Sequence, residues 1–312
     1  MTTTTQNTDN QLLVKVNQIG KFIGKTPLFP LNNIFQKEGV RIYAKFEWQQ
    51  LGGSVKARPA FNIIKQATTN GHLHKEKRLL DATSGNTGIA YATIGAALGI
   101  PVTIVIPENA SEERKTILKS LGAELIYTSK FDATDGSQAK ARELFAERPD
   151  LYYYADQYAN DANWQAHYHT TAPEILNQTQ GNITHFVAGL GTTGTFVGTT
   201  RGLKDLNPTI QAVSLQPETA LHGLEGWKDL ETACVPKIYD ATLADQKLHV
   251  TTGESYDLIK RVAKQEGLLL SPSAAANLLG AIQVANGIDR GVVVTVFADN
   301  ADKYGEVLKQ LF

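Results

Sequence analysis

From about residue 78 onward the chain repeats one rhythm: a short β-branched or apolar run, a Gly/Ser/Thr/Asn cluster, then an amphipathic or Ala-rich stretch. Few architectures accept that order. Strands that alternate with helices pair in parallel, since a helical crossover returns the chain to the edge it left, and the helices then cover the sheet. The runs Arg78–Ala82, Val102–Ile106, Glu124–Tyr127, Thr184–Ala188, Ala212–Leu215 and Val292–Phe297 are the expected strands. The predicted fold class is α/β, with mostly parallel sheets flanked by helices.

Caps sharpen some boundaries. Ser111 followed by Glu112 and Glu113 suits a helix start with an acidic first turn, and Gly122 falls where a C-terminal glycine belongs. A second helix is expected from about Gly253 to Glu266, with Leu258, Ile259 and Val262 on one face and Gly267 closing it. Residues 1–11 are polar and read as a frayed arm, or as a segment ordered only by packing on something else. A boundary between two lobes is expected near Leu151–Tyr154, where one cluster of βα units meets the next.

Charge and cysteine usage narrow the partners. With 30 basic and 31 acidic residues the chain carries a formal charge of -1, so no global field gathers nucleic acid or an anionic membrane. Small molecules are the expected ligands. No apolar run approaches membrane-spanning length, the single cysteine, Cys234, precludes an intrachain disulfide, and the N-terminus shows no targeting pattern. A cytoplasmic location is expected. No third ligand is spaced to join His167 and His169, so packing or surface roles are assigned to both and no metal is expected. Cys234 has no base in its Ala-Cys-Val-Pro context and reads as a small buried or half-buried residue.

Three polar clusters lie at strand-to-helix turns, where an open α/β sheet collects ligands. Thr83-Ser84-Gly85-Asn86-Thr87-Gly88 follows the strand Arg78–Ala82 and opens the Ala-rich stretch Ile89–Leu98. Its glycines, hydroxyls and helix N-terminus suit a carboxylate; an ordinary turn-rich loop is the alternative. Gly189-Leu190-Gly191-Thr192-Thr193-Gly194-Thr195 suits a phosphate, and it also satisfies G-x-G-x-x-G, so a dinucleotide and a plain packing turn compete for it. Gly52-Gly53-Ser54-Val55-Lys56-Ala57-Arg58-Pro59 puts Lys56 in the first turn of a helix that Ser54 can cap. There the helix-terminal potential disfavours an ammonium and makes a neutral amine more accessible. A solvated surface lysine is the alternative.

Taken together, these clusters resemble the cysteine synthase family (O-acetylserine sulfhydrylases, fold-type II pyridoxal-phosphate enzymes), nearer its B-type. The likeness runs from Gly24-Lys25-Thr26-Pro27-Leu28 to Phe297-Ala298-Asp299-Asn300, and it includes the T-S-G-N-T-G loop without a change. The resemblance implies a tryptophan synthase β-like fold. Residues 1–47 and 152–312 would form a larger cofactor-binding lobe, and residues 48–151 a smaller lobe carrying the Schiff-base lysine and the substrate-carboxylate loop. It implies pyridoxal 5'-phosphate as cofactor and Lys56 as Schiff-base lysine and proton carrier. Asn86 would bond the cofactor's phenolate oxygen, and Gly191, Thr192, Thr193, Gly194 and Thr195 would hold its phosphate. Ser273 would meet the pyridine nitrogen, while Thr83, Ser84, Thr87 and Gln157 would hold the substrate carboxylate.

The implied activity is that of a transferase replacing the oxygen substituent of O-acetylserine or O-phosphoserine with sulfide or a related sulfur nucleophile, giving L-cysteine. A homodimer is implied too. Synthesis of cystathionine, S-sulfocysteine or diaminopropionate, and a nicotinamide-dependent oxidoreductase built on Gly189–Gly194, are the alternatives. The chain departs from the family pattern at Gln50-Leu51, at Ala57 after the lysine, at Thr193 in place of a glycine, at Gln157–Asn163 and at Leu270–Ala275. The segment Leu221–Lys228, over the family's active-site entrance, differs most; in it Trp227 and Lys228 read either as an anion-recognising pair or as a surface loop.

Overall fold

A computed structural model of the chain describes residues 2–83, 85–131 and 133–312. It has two compact units, one comprising Met1–Gly24, Gln50–Gly52 and Lys56–Asn163, the other Lys25–Gln49, Gly53–Val55 and Trp164–Phe312. This division differs from the one the resemblance implied. Residues 12 to 24 join the smaller unit because Leu12 and Val16 bury against Ile63, Ile64 and Tyr91. Residues 53–55 join the larger one, where Val55 is buried with Phe186 and Phe196 and its N–H bonds the Ala298 carbonyl at 2.8 Å.

The ten strands are β1 (Leu28–Pro30), β2 (Val40–Phe46), β3 (Arg78–Ala82), β4 (Val102–Pro107), β5 (Glu124–Thr128), β6 (Tyr152–Tyr154), β7 (His185–Gly189), β8 (Gln211–Pro217), β9 (Gln246–Val250) and β10 (Gly291–Phe297). The helices of the first unit are α1 (Thr2–Gly20), α2 (Ala57–Thr69), α3 (Asn86–Leu98), α4 (Glu112–Ser120) and α5 (Ala133–Glu147). The chain passes into the second unit within α6 (Ala162–Ala166), which is followed by α7 (Ala172–Gln178), α8 (Gly194–Leu206), α9 (Thr252–Gln265), α10 (Pro272–Asn286) and α11 (Gly305–Leu311).

In the smaller unit the sheet order is β5-β4-β3-β6, all parallel. Alternation splits its strands between two faces, since successive side chains point to opposite sides. Leu79, Val102, Ile104 and Ile106 bury against α2 and α3, while Leu80, Ala82 and Val105 bury with Ala141 of α5. In the larger unit the order is β1-β2-β10-β7-β8-β9, parallel except for the pair β1 and β2. Val293 and Phe297 face α9 and α10; Val294 and Val296 face α7 and α8. Both sheets are thus covered on both faces, which is what parallel strands rich in Val, Ile and Leu require.

The two predicted helices form as α4 and α9, and Ser111 takes the cap position of α4 without a side-chain cap bond. Gly122 takes φ +79 and Gly267 φ +69 beyond their ends, and the Thr251 side chain caps α9 by accepting from the Glu254 N–H at 3.1 Å while its hydroxyl donates to the Glu254 carboxylate at 2.7 Å. Residues 1–11, expected as an arm, contribute instead to the backbone of α1 from Thr2 onward. Among the described residues no helix is long and apolar enough to cross a membrane.

Candidate active site

In the smaller unit the chemistry gathers at the ends of β3 and β6 and the heads of α2 and α3. Lys56 is half-buried and occupies the residue before α2, with helical backbone angles of φ -72 and ψ -13. Ser54 does not cap this helix: Lys56 itself takes the cap position without a side-chain cap, and Ser54 is fully buried in the other unit. Gly52, at φ +90, takes a left-handed turn that glycine favours, beside Ala57 of α2 and Ala90 of α3. The lysine sits at the N-terminal end of α2, where the positive pole of the helix dipole lies.

The turn Thr83–Gly88 leads into α3, whose first residue is Asn86. Ser84 lies outside the described residues. Thr83 and Thr87 are buried, the Gly85 N–H donates to Thr83 Oγ1 at 3.2 Å, and Asn86 is half-buried. Gly88 is required for closeness, since a Cβ on it would meet Thr83 Cγ2 at 2.9 Å. Gln157 joins the turn directly: the Thr87 hydroxyl donates to its Oε1 at 2.7 Å. Its Nε2 donates to Asp81 Oδ2 at 3.3 Å and to the Ala82 carbonyl at 3.0 Å.

Asp81 is a site residue that the sequence reading missed. It is fully buried at the end of β3, and burial above all pushes its carboxyl from 3.8 up to about 7. The Ala82 N–H opposes that rise, the Asp156 charge adds to it, and the Tyr91 hydroxyl opposes it again. Tyr91, Tyr154 and Tyr158 are themselves held well above the ordinary phenol range, chiefly by burial. An Asp before a T-S-G-N-T-G turn was visible as a residue, but nothing in its spacing showed that it would be buried against Gln157.

In the larger unit β7 ends at Gly189 and α8 begins at Gly194, so the cluster Gly189–Thr195 forms a strand-to-helix turn there. Gly189 and Gly191 allow close cover: a Cβ at Gly189 would lie 2.0 Å from the Trp227 ring, and one at Gly191 2.1 Å from the Gly226 carbonyl oxygen. Trp227 thus packs over the turn, touching Leu224, Val250 and Ala276 rather than reaching outward as an anion contact. Asn277 of α10 braces the same place, accepting from the Gly189 N–H at 2.8 Å and donating to the Val296 carbonyl at 2.7 Å. It too was missed, because a lone Asn in a helix carries no sequence signal.

A cofactor phosphate fits this turn. The first-turn N–H groups of α8 have no intrahelical acceptor and carry the positive end of the helix dipole. Thr193 is buried in a left-handed conformation at φ +72, and its Oγ1 has no hydrogen-bond partner among the described residues. A buried hydroxyl without a partner costs about 1–3 kcal/mol, which an anion acceptor would recover. Thr192 is buried and Thr195 half-buried on the same turn. At the head of α10, Ser271 caps the helix at the Ala274 N–H, and its Oγ lies 3.2 Å from Ser273 Oγ, which is also buried. A hydroxyl, rather than a carboxylate, is therefore what Ser273 offers a pyridine nitrogen.

The candidate residues divide between the units: Lys56, Thr83, Asn86, Thr87 and Gln157 in the smaller, Gly191–Thr195 and Ser273 in the larger. Cys234, expected to be at least half-buried, is exposed. The family model described as pyridoxal-phosphate dependent enzyme matches residues 19–299. A cysteine synthase of Aquifex aeolicus is 45% identical over 91% of this chain and 89% of its own length. A cysteine synthase B of Pseudomonas aeruginosa is 36% identical over 94% of this chain and 97% of its own. The solved cysteine synthase of Entamoeba histolytica superposes with a TM-score of 0.86 at 30% identity, over 94% of each chain. With a matching family model across nearly the whole length, and relatives well above the similarity at which folds diverge, the chain belongs to the pyridoxal-phosphate dependent enzymes.

Proposed function

We propose that this chain is a cysteine synthase, which replaces the oxygen substituent of O-acetylserine or O-phosphoserine with sulfide or a related sulfur nucleophile to give L-cysteine. The observation that carries the reading lies within the smaller unit: a half-buried lysine at the head of α2, a helix that packs on α3, which the unaltered T-S-G-N-T-G sequence leads into. The cysteine synthases that resemble this chain over more than nine-tenths of it support the same reading. When bound, pyridoxal phosphate supplies an electron sink that makes the substrate's α-proton removable.

In this reading the Lys56 amine holds the cofactor covalently, then removes and later returns the proton at the substrate Cα. When the cofactor is bound, Asn86 would hold its phenolate oxygen, Ser273 its pyridine nitrogen, and Gly191–Thr195 its phosphate. Thr83, Ser84, Thr87 and Gln157 receive the substrate carboxylate. Both hydrogens of the Gln157 amide are directed at Asp81 and Ala82, and the Thr87 hydroxyl is spent on Gln157. A carboxylate that takes a bond from either must redirect it, so the first donors it meets are the N–H groups at the head of α3.

The reading includes a homodimer in the cytoplasm, in keeping with the family likeness and with a lone cysteine that has no disulfide partner in the chain. Sedimentation of the purified protein tests the dimer. For the activity, the holoenzyme is offered O-acetylserine or O-phosphoserine with sulfide, and the product is identified by mass. Cysteine from either donor is the expected result. Protein that carries the cofactor and yields no cysteine from either would overturn the assignment.

A further inference from the structure

His167 is fully buried in the larger unit, on one π-helical turn, His167–Thr171, between α6 and α7. Such a turn is uncommon and recurs at functional positions. It packs closely on α8: a Cβ at Gly198 would lie 1.9 Å from the Trp164 carbonyl oxygen and 2.9 Å from His167 Cβ. The imidazole is thereby held between two hydroxyls. Its Nδ1 lies 2.9 Å from Thr171 Oγ1, and its Nε2 lies 3.3 Å from Thr195 Oγ1.

Thr195 is the second residue of α8 and the last of the Gly191–Thr195 turn. Its hydroxyl owns one hydrogen. Directed at His167 Nε2, that hydrogen would leave only lone pairs for an anion at the turn, and those repel phosphate. The other tautomer removes the conflict. Thr171 donates to Nδ1, Nε2–H donates to Thr195 Oγ1, and the Thr195 hydrogen is left for the anion, with each donated bond polarising the next. The partner of one ring nitrogen thus sets the proton on the other.

We propose that His167 is a positioning residue for the cofactor phosphate, acting through the Thr195 hydroxyl, which it orients and polarises as a donor. The proposal rests on the reading that the phosphate lies on Gly191–Thr195. Release of pyridoxal phosphate from the holoenzyme after dilution, followed by loss of its visible absorption, is the assay, with the phosphorus-31 resonance of the bound cofactor as a second readout. His167→Phe and Thr195→Val should each speed release about tenfold, the scale of one hydrogen bond to a charged group. The double variant should be no faster than either, and both single variants should move the phosphorus resonance.

His167→Gln, whose amide nitrogen reaches the place of Nε2, should release within about twofold of wild type. Multiplicative effects in the double variant would overturn the proposal, as would His167→Phe holding the cofactor like wild type while Thr195→Val loses it. So would a His167→Gln protein that melts like wild type yet releases as fast as His167→Phe. If Thr195→Val changes neither release nor resonance, the phosphate is not on this turn, and the underlying reading fails rather than the histidine's part in it.

Discussion

Asp81→Asn keeps the shape of a buried side chain and removes one titration from the smaller unit. In the folded protein the Asp81 carboxyl is raised from 3.8 to about 7, first by burial, against the Ala82 N–H and with the Asp156 charge. Tyr91 on α3, Tyr153 and Tyr154 on β6, and Tyr158 beyond it share its field. Between those two pH values the unfolded chain has lost the proton and the folded chain keeps it. Each pH unit of that window removes about 1.4 kcal/mol of stability. The stabilisation is complete below 3.8, falls as pH rises, and is lost above about 7, an interval worth about 4 kcal/mol. The variant has no such proton, so its stability relative to wild type should climb by about 4 kcal/mol from about pH 4 to about pH 8. Loss of a carboxylate acceptor for the Gln157 amide lowers the variant by about 1 kcal/mol at every pH and leaves the climb intact. Urea unfolding followed by far-ultraviolet circular dichroism is the assay, because the tryptophans, Trp48, Trp164 and Trp227, all lie in the larger unit. Two stability curves that run parallel across this range would refute the reasoning.

Lys56→Ala should abolish turnover and the visible absorption of the covalently held cofactor, and borohydride should no longer fix any colour on the protein. A variant cycling near the wild-type rate would show that another amine serves. Gly191→Ala forces a Cβ to within 2.1 Å of the Gly226 carbonyl oxygen. It should lower stability by about 2–3 kcal/mol in chemical unfolding and loosen the cofactor as well. Thr193→Gly relieves a left-handed residue and should raise the stability of the cofactor-free protein by about 1 kcal/mol, while speeding cofactor release from the holoenzyme.

Six strands and both predicted helices were legible because each rests on a local signal: a β-branched run, a cap, or a glycine at a helix end. The strands that escaped lack such signals. β2 interrupts its apolar residues with Arg41 and Lys45, β6 is only Tyr152–Tyr154, and β9 is largely exposed. Lys45 lies fully inside, yet its amine finds the Thr26 carbonyl at 2.7 Å and Glu174 at 2.7 Å, partners remote in sequence. The glycine-rich turns announced themselves through composition. Asp81, Asn277 and His167 did not, because what matters in each is a partner brought near by tertiary packing, which no local pattern encodes.

Local rules break most informatively where the candidate site lies. Four non-glycine residues have positive φ among those described: Lys25, Asp156, Gln180 and Thr193. Gln180 follows α7 beside Gly181 and simply ends a helix, and Lys25 gives its N–H to Glu174 at 2.9 Å. The other two adjoin site residues. Asp156, at φ +42, turns the chain so that its carbonyl accepts from Ala159 and Asn160, which presents Gln157 to Asp81 and Thr87. Thr193, at φ +72, stands where the family pattern has glycine, the residue that this conformation favours. A β-branched side chain there costs about 1–2 kcal/mol in backbone strain, and its buried hydroxyl adds a desolvation cost. A packing turn would gain nothing from either, whereas an anion bound at the head of α8 would give that hydroxyl an acceptor. The strain at this position is therefore an argument for a phosphate rather than against the fold.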